Sequence, residues 1–307
     1  MDPYDLIRDG KIRRYFRATR KLNAPDFVYH ITQRAAGKEP LFLEDDDYLF
    51  MLVTLKEISH THNLRIHAFC LMPSHVHLLL SPAEKNLYDA MRDLFSRYAM
   101  KFNRKYERKG HLFGAPYRQA VCLDDSYLLA ASLYIHLNPV KAGLVRDPFN
   151  YRWSSSRLYC QHDSPSSFVN PDFILGVLAE SEAERKETYR QLLKRGSRLE
   201  IGHVLEKEDA IERFSLDLAS IFPFLFKKAG RGMRAIRTSR INLLSIEELE
   251  TKIEEMKRGA LPNKPETRKA KKYLIEQLIA RGYKRGEIAE RLGVSRKTIY
   301  NLLKSSM

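Results

Sequence analysis

Residues 64–81, LRIHAFCLMPSHVHLLLS, constrain the fold more than any other stretch of the chain. Leu64 to Leu71 and His75 to Ser81 are apolar runs of strand length, and Met-Pro-Ser between them is a turn. The flanking segments fix what these strands belong to. Phe27 to Arg34, FVYHITQR, alternates and is rich in β-formers, so it is a strand. Residues 44–62 open on acids, which suit a helix N-terminus, and continue with apolar residues at helical spacing. Residues 86–109 form a long amphipathic helix with a basic end, and Gln119 to Leu123 is a fourth strand. Asp124 and Asp125 then open a helix through YLLAASLYIHLN. The order β-α-β-β-α-β, then a helix, is the split βαβ, ferredoxin-like pattern: an α+β domain with one antiparallel sheet and helices on one face.

That domain occupies residues 25–160 of a 307-residue chain, a length that favours about two domains. A hydrophobic content of 44% supplies a full core and excludes global disorder. The net charge of +15 points to a polyanionic partner, nucleic acid first and an anionic membrane second. A basic but merely soluble protein is the plainer alternative. No apolar stretch approaches the roughly 18 residues a membrane helix needs, and MDPYDLIRDG is too acidic and polar for a secretory signal. Cys70, Cys122 and Cys160 are few, odd in number and far apart, so reduced thiols in the cytoplasm are expected, and no zinc ribbon.

Residues 1–24 carry seven basic side chains against three Asp, as a phosphate-following arm or a solvated tail would. Residues 161–262 look like a helical connector, and KRGALPNKPE at 257–266 like a linker. The last segment, 263–307, has the pattern of a helix-turn-helix. Gly293 supplies the turn, Ser295 can cap the third helix, and Ile288, Ala289 and Leu292 face Val294, Ile299 and Leu302 across the turn. Eleven Lys plus Arg against three Glu from 267 to 307 give it a net charge of +8. Arg296, Lys297, Thr298, Tyr300 and Asn301, on the third helix, are its candidate DNA contacts.

His75 and His77 are two apart in a strand, so both imidazoles point to one face. Side by side they make half of a metal site, or they are ordinary residents of a wet strand face. Tyr134 and Asn138 stand i, i+4 on the helix that follows the fourth strand. A tyrosine there is either a core residue with a satisfied hydroxyl or a phenol nucleophile, and Asn138 offers an oxygen suited to Mg²⁺ or Mn²⁺. Pro139 is expected to end or kink the helix at Asn138, making the i, i+4 relation approximate. On the basic helix, Arg97, Lys101, Arg104 and Lys105 are candidate phosphate contacts, with Tyr98, Phe102 and Tyr106 either stacking bases or forming the buried face. Phe102 repeats with Tyr98 at core spacing and is assigned to the core.

The combination of LMPSHVHLLL, GHLF at 110–113, YIHLNPVKAGLV and WSSS at 153–156 resembles the REP-associated tyrosine transposases, relatives of the single-tyrosine HUH transposases of small insertion sequences. The resemblance covers about residues 24–160. It implies an HUH nuclease domain in which His75 and His77 are the paired histidines, Tyr134 is the nucleophile and Asn138 is the third metal ligand. Ser74 stands where Asn often precedes the first histidine, and Lys141 where Arg is frequent. The implied activity is metal-dependent cleavage and rejoining of hairpin-associated single-stranded DNA through a 5′-phosphotyrosine. Duplex DNA stays open as a partner of the helix-turn-helix, as do monomer and homodimer. The competing readings are a DNA-binding regulator that does no catalysis and an RNA-binding protein on the same sheet. Against the latter, no aromatic pair of the base-stacking kind lies in the assigned strands.

Overall fold

A computed structural model describes residues 15–16, 21, 23, 25, 27–37, 39–122, 124–161, 167–179, 181–199, 210–230, 246–258, 265–280, 283 and 285–304. The basic arm therefore lies outside the described residues, apart from 15–16, 21 and 23. The described residues fall into two compact units, one between 23 and 240, the other made of those before 23 with those after 240.

In the first unit, strands β1 (Tyr29–Arg34), β2 (Leu64–Met72), β3 (His75–Pro82) and β4 (Arg118–Val121) form an antiparallel array in the order β4-β1-β3-β2. This is the ferredoxin-like order expected from the segment pattern. The β2–β3 register pairs Met72 with His75, so the turn between them is Pro73-Ser74. Helix α1 (Asp45–Thr61) links β1 to β2 and opens on a capping box between Glu44 and Asp47. Helix α2 (Leu87–Lys105) links β3 to β4 and packs against α1. The two helices pack together on one face of the sheet.

Helix α3 (Asp125–Lys141) departs from the expectation of helices on one face. Its residues 125–139 are all buried, and Tyr134 and Asn138 meet His77 on the other sheet face. A helix that is apolar all round must be covered on every side. Its outer sides are covered by three helices from the segment expected to be a connector: α5 (Glu182–Gly196), α6 (Ala210–Ile221) and α7 (Pro223–Gly230), which follow a single turn, α4 (Asp172–Leu175). The contact with α5 is close because Gly196 lacks a side chain. A Cβ there would lie 3.0 Å from Cδ1 of Leu137 and 3.4 Å from Phe214.

Pro139 does not end α3 in the way the sequence suggests. The helix runs on to Lys141 and closes with Gly143 at a φ of +70°, Gly143 N–H donating to Val140 and Leu144 N–H to Pro139. The proline sits in the last turn, where its missing N–H leaves the Ile135 carbonyl without its intrahelical donor.

The outer edge of β2 is occupied by the chain itself. Leu71 N–H donates to the Trp153 carbonyl, Phe69 N–H to the Ser155 hydroxyl and Asn170 N–H to the Ile66 carbonyl, with bridges pairing Cys70 with Ser154 and Ile66 with Val169. The three cysteines are buried thiols. Among the described residues no helix is long and apolar enough to cross a membrane.

In the second unit, α8 (Ile246–Arg258), α9 (Pro265–Ala280), α10 (Arg285–Leu292) and α11 (Arg296–Lys304) share one core. Ile288, Ala289, Leu292, Ile299 and Leu302 meet in it, with Val294 packed against it. Gly293, at a φ of +62°, makes the turn, and the Ser295 hydroxyl accepts from Thr298 N–H. Leu249 and Ile253 of α8 are buried in the same core, so this unit starts well before residue 263. Residues 259–264 of the expected linker lie outside the described residues.

Candidate active site

Strand pairing brings more imidazole together than the H-x-H spacing alone. Side chains opposed across a ladder share a face. The β1–β3 register sets Arg34 opposite His75 and Thr32 opposite His77, and His30 follows two residues along on the same face. Nε2 of His30 lies 3.0 Å from Nδ1 of His77, and the Thr32 hydroxyl 3.2 Å from the same nitrogen. The His75 ring is edge-on to His77 with centroids 4.8 Å apart, and its Nδ1 lies 3.0 Å from the Ser74 hydroxyl. His30 and Thr32 were not singled out from the sequence. Their i, i+2 placement in FVYHITQR repeats that of His75 and His77 and was the available signal.

From above, α3 lowers two side chains one turn apart onto this group. The Asn138 amide nitrogen lies 3.2 Å from Nε2 of His77. The Tyr134 ring stands edge-on to His77, centroids 5.8 Å apart, and near-perpendicular to His30 at 6.3 Å. Asp124 caps the helix, accepting from Tyr127 N–H at 2.7 Å, and so fixes where its turns fall. Tyr134 is 3% exposed and also meets the Phe214 ring of α6 edge-on.

Burial pulls the His77 pKa well below the ordinary histidine value, with His75, His30 and Arg34 adding repulsion, and burial lowers that of His30 to about 4. Both rings are therefore neutral near pH 7. With the His77 proton assigned to Nδ1, where His30 and Thr32 accept it, the Nε2 lone pair faces Asn138.

Among the described residues no three His, Cys, Asp or Glu side chains cluster to hold a metal ion. A cation here would need the Asn138 amide beside His75 and His77. Neutral imidazoles and an amide oxygen suit a hard divalent ion with few protein ligands. The donor set fits such an ion.

The candidate DNA contacts of α2 are largely engaged within the chain. Arg97 pairs with Glu57, Lys105 with Glu44 and Asp47, and Nζ of Lys101 sits 3.7 Å over the Phe50 ring. Arg104 is exposed. Tyr98 and Phe102 are buried, and the Tyr106 hydroxyl donates to Asp47, so none presents its ring as a free stacking platform. The GHLF stretch is structural: Ala36 N–H donates to the Leu112 carbonyl, and the Phe113 ring packs on Phe95. In the second unit, Arg296, Lys297, Tyr300 and Asn301 are exposed on α11, opposite buried Ile299 and Leu302, with Thr298 half-buried.

Residues 23–138 match the family model described as IS200-like transposase, and residues 266–306 match that of a homeodomain-like domain. No curated protein matches the chain in sequence. One solved structure, described as a REP-associated tyrosine transposase bound to a REP hairpin, is similar with a TM-score of 0.41 and 14% identity, over 49% of this chain and 92% of that one. The chain is thus similar to IS200-like transposases over residues 23–138 and to homeodomain-like domains over residues 266–306, the latter built here as a helix-turn-helix.

Proposed function

We propose that the chain is a DNA transposase that cuts and rejoins single-stranded DNA beside a hairpin, with Tyr134 as nucleophile. The observation that carries this reading is the meeting of two elements: α3 holds Tyr134 and Asn138 one turn apart over His75 and His77 of β3. His75, His77 and Asn138 would hold Mg²⁺ or Mn²⁺, which when bound supplies charge stabilisation at the scissile phosphate. His30 and Thr32 keep His77 in one tautomer and orientation. The Tyr134 phenol oxygen attacks phosphorus, the 3′-oxygen leaves, and a 5′-phosphotyrosine keeps the bond energy for rejoining. This explains why a tyrosine rather than water would serve as nucleophile. Arg296, Lys297, Thr298, Tyr300 and Asn301 would engage duplex DNA and bring the nuclease to its site.

The test is a denaturing gel of the full chain with Mn²⁺ or Mg²⁺ and labelled hairpin oligonucleotides from around its own gene, Tyr134→Phe beside wild type. A metal-dependent protein–DNA band that Tyr134→Phe abolishes is expected. Tight DNA binding with no such band would replace this reading with that of a non-catalytic regulator acting through the helix-turn-helix.

A further inference from the structure

The WSSS stretch and the histidine between Tyr134 and Asn138 have no part in the chemistry above, yet they form a fully buried polar network. Phe69 N–H of β2 donates to the Ser155 hydroxyl at 2.9 Å, and that hydroxyl lies 2.8 Å from Nε2 of His136. Nδ1 of His136 lies 2.8 Å from the Tyr189 hydroxyl of α5. Tyr189 donates to Ser132 at 3.1 Å, and Ser132 to the Leu129 carbonyl at 2.8 Å. With the His136 proton on Nδ1, Phe69 N–H donates to Ser155, Ser155 to His136 in place of the Phe69 carbonyl that its hydroxyl otherwise reaches at 3.2 Å, His136 to Tyr189, Tyr189 to Ser132, and Ser132 to Leu129. With it on Nε2, His136 donates to Ser155, Ser155 to the Phe69 carbonyl, and Tyr189 to the ring in place of Ser132. In either tautomer both ring nitrogens are held. Burial lowers the pKa of His136 to about 3, so the ring is neutral.

We propose that His136 is a positioning residue for Tyr134 and Asn138, and that it acts through Ser155 and Tyr189, which lie outside the matched 23–138 domain. Two residues along a helix is a rotation of about 200°, so His136 projects away from Tyr134 and Asn138 on either side of it. Fixing the far side of α3 to the edge of β2 and to α5 sets the rotation of the near side over β3. The restraint falls where the helix needs it. Pro139 cannot donate to the Ile135 carbonyl, so the ladder is short by one bond in the very turn that joins Tyr134 to Asn138. A leucine at 136 would fill the space, but only a satisfied polar network fixes one arrangement against its neighbours. The nuclease unit then extends through residue 189, and the segment from 153 onward is part of its machinery.

This inference rests on Tyr134 being the nucleophile for its kinetic consequence, but its geometry can be read separately. In the full chain, His136→Ala is compared with wild type by single-turnover adduct formation, by oligonucleotide binding, and by the NMR contact between the Tyr134 and His77 rings, 5.8 Å apart. The expected result is a loss of the ring contact and a fall in adduct rate on the order of 100-fold, as an ångström-scale displacement produces, with binding little changed. His136→Gln, which keeps one donor and one acceptor, recovers part of the rate. If wild type forms no adduct while His136→Ala still loses the ring contact, the nuclease reading fails and the positioning role stands. A folded His136→Ala that keeps the ring contact, with any adduct rate within about twofold of wild type, overturns the proposal. Should His136→Ala not fold, Tyr189→Phe and Ser155→Ala carry the same comparison, with the same outcomes for and against.

Discussion

Gly196→Ala sets two opposed effects against each other at the contact that seats α5 on α3. The new Cβ would stand 3.0 Å from Cδ1 of Leu137, 3.4 Å from Cζ of Phe214 and 3.6 Å from Cδ2 of Leu218. Ordinary carbon contacts lie at about 3.5–4.0 Å, so Leu137 must yield by roughly half an ångström. It cannot swing aside, because it is buried on a helix that is packed on every side. Overpacking of this kind costs about 1–3 kcal/mol. Against it, alanine is favoured over glycine inside a helix by up to about 1 kcal/mol, and Gly196, the last residue of α5, recovers only part of that. The net expectation is destabilisation by about 1 kcal/mol for Gly196→Ala and by about 2–3 kcal/mol for Gly196→Val, measured as a lower urea midpoint at unchanged m-value. Because Leu137 adjoins Asn138, adduct formation should fall further than stability does. A Gly196→Ala protein more stable than wild type by the full propensity gain would refute the close packing of α5 on α3.

Further outcomes follow from burial and pairing. Burial, with a smaller contribution from Arg65, lowers the His67 pKa to about 3, whereas the unfolded chain titrates near 6.5. Below about pH 6.5 the unfolded state then binds the extra proton, so stability should fall by up to about 1.4 kcal/mol per pH unit for this residue down to about pH 3, and unfolding curves of His67→Gln should flatten that slope. Lys105→Ala should lower thermal stability by leaving the carboxylate of Asp47, 4% exposed, without its cation, while the salt dependence of single-stranded DNA binding stays as it was. Arg296→Ala with Lys297→Ala should instead reduce the slope of log K against log salt for duplex binding by about 2, one phosphate contact each; an unchanged slope would exclude α11 as a phosphate-contacting helix.

The order of strands and helices was legible because each segment announces its own period and its own ends. The shared face of His75 and His77 was legible because it depends on one strand alone. His30 and Thr32 join them only through the β1–β3 register, a long-range pairing that no local pattern encodes. The role of 161–230 was hidden for a related reason. Helices such as α5 look like solvated, charged segments, and only the all-round apolar character of α3 demands a cover for it. The pairing of Lys105 with Asp47 was not legible, because a basic helix end reads as a phosphate track and the carboxylate beneath it lies 58 residues away in sequence. Pro139 misled because its local preference is real, yet the helix runs on past it to a turn that Gly143 closes.

The occupied edge of β2 bears on how the molecule behaves in crowded solution. An open outer strand offers its unpaired N–H and C=O groups to any extended segment, and sheets that leave such a row bare are prone to fibril-like stacking and to accidental dimers. Here Trp153, Ser154, Ser155, Val169 and Asn170 already occupy that row. A second copy adding a strand there would first have to strip off Ser155, and with it the support of His136. Strand-to-strand self-assembly at this margin would therefore come only at the expense of the packing around α3, which sets the molecule against aggregation along the same line that orders its interior.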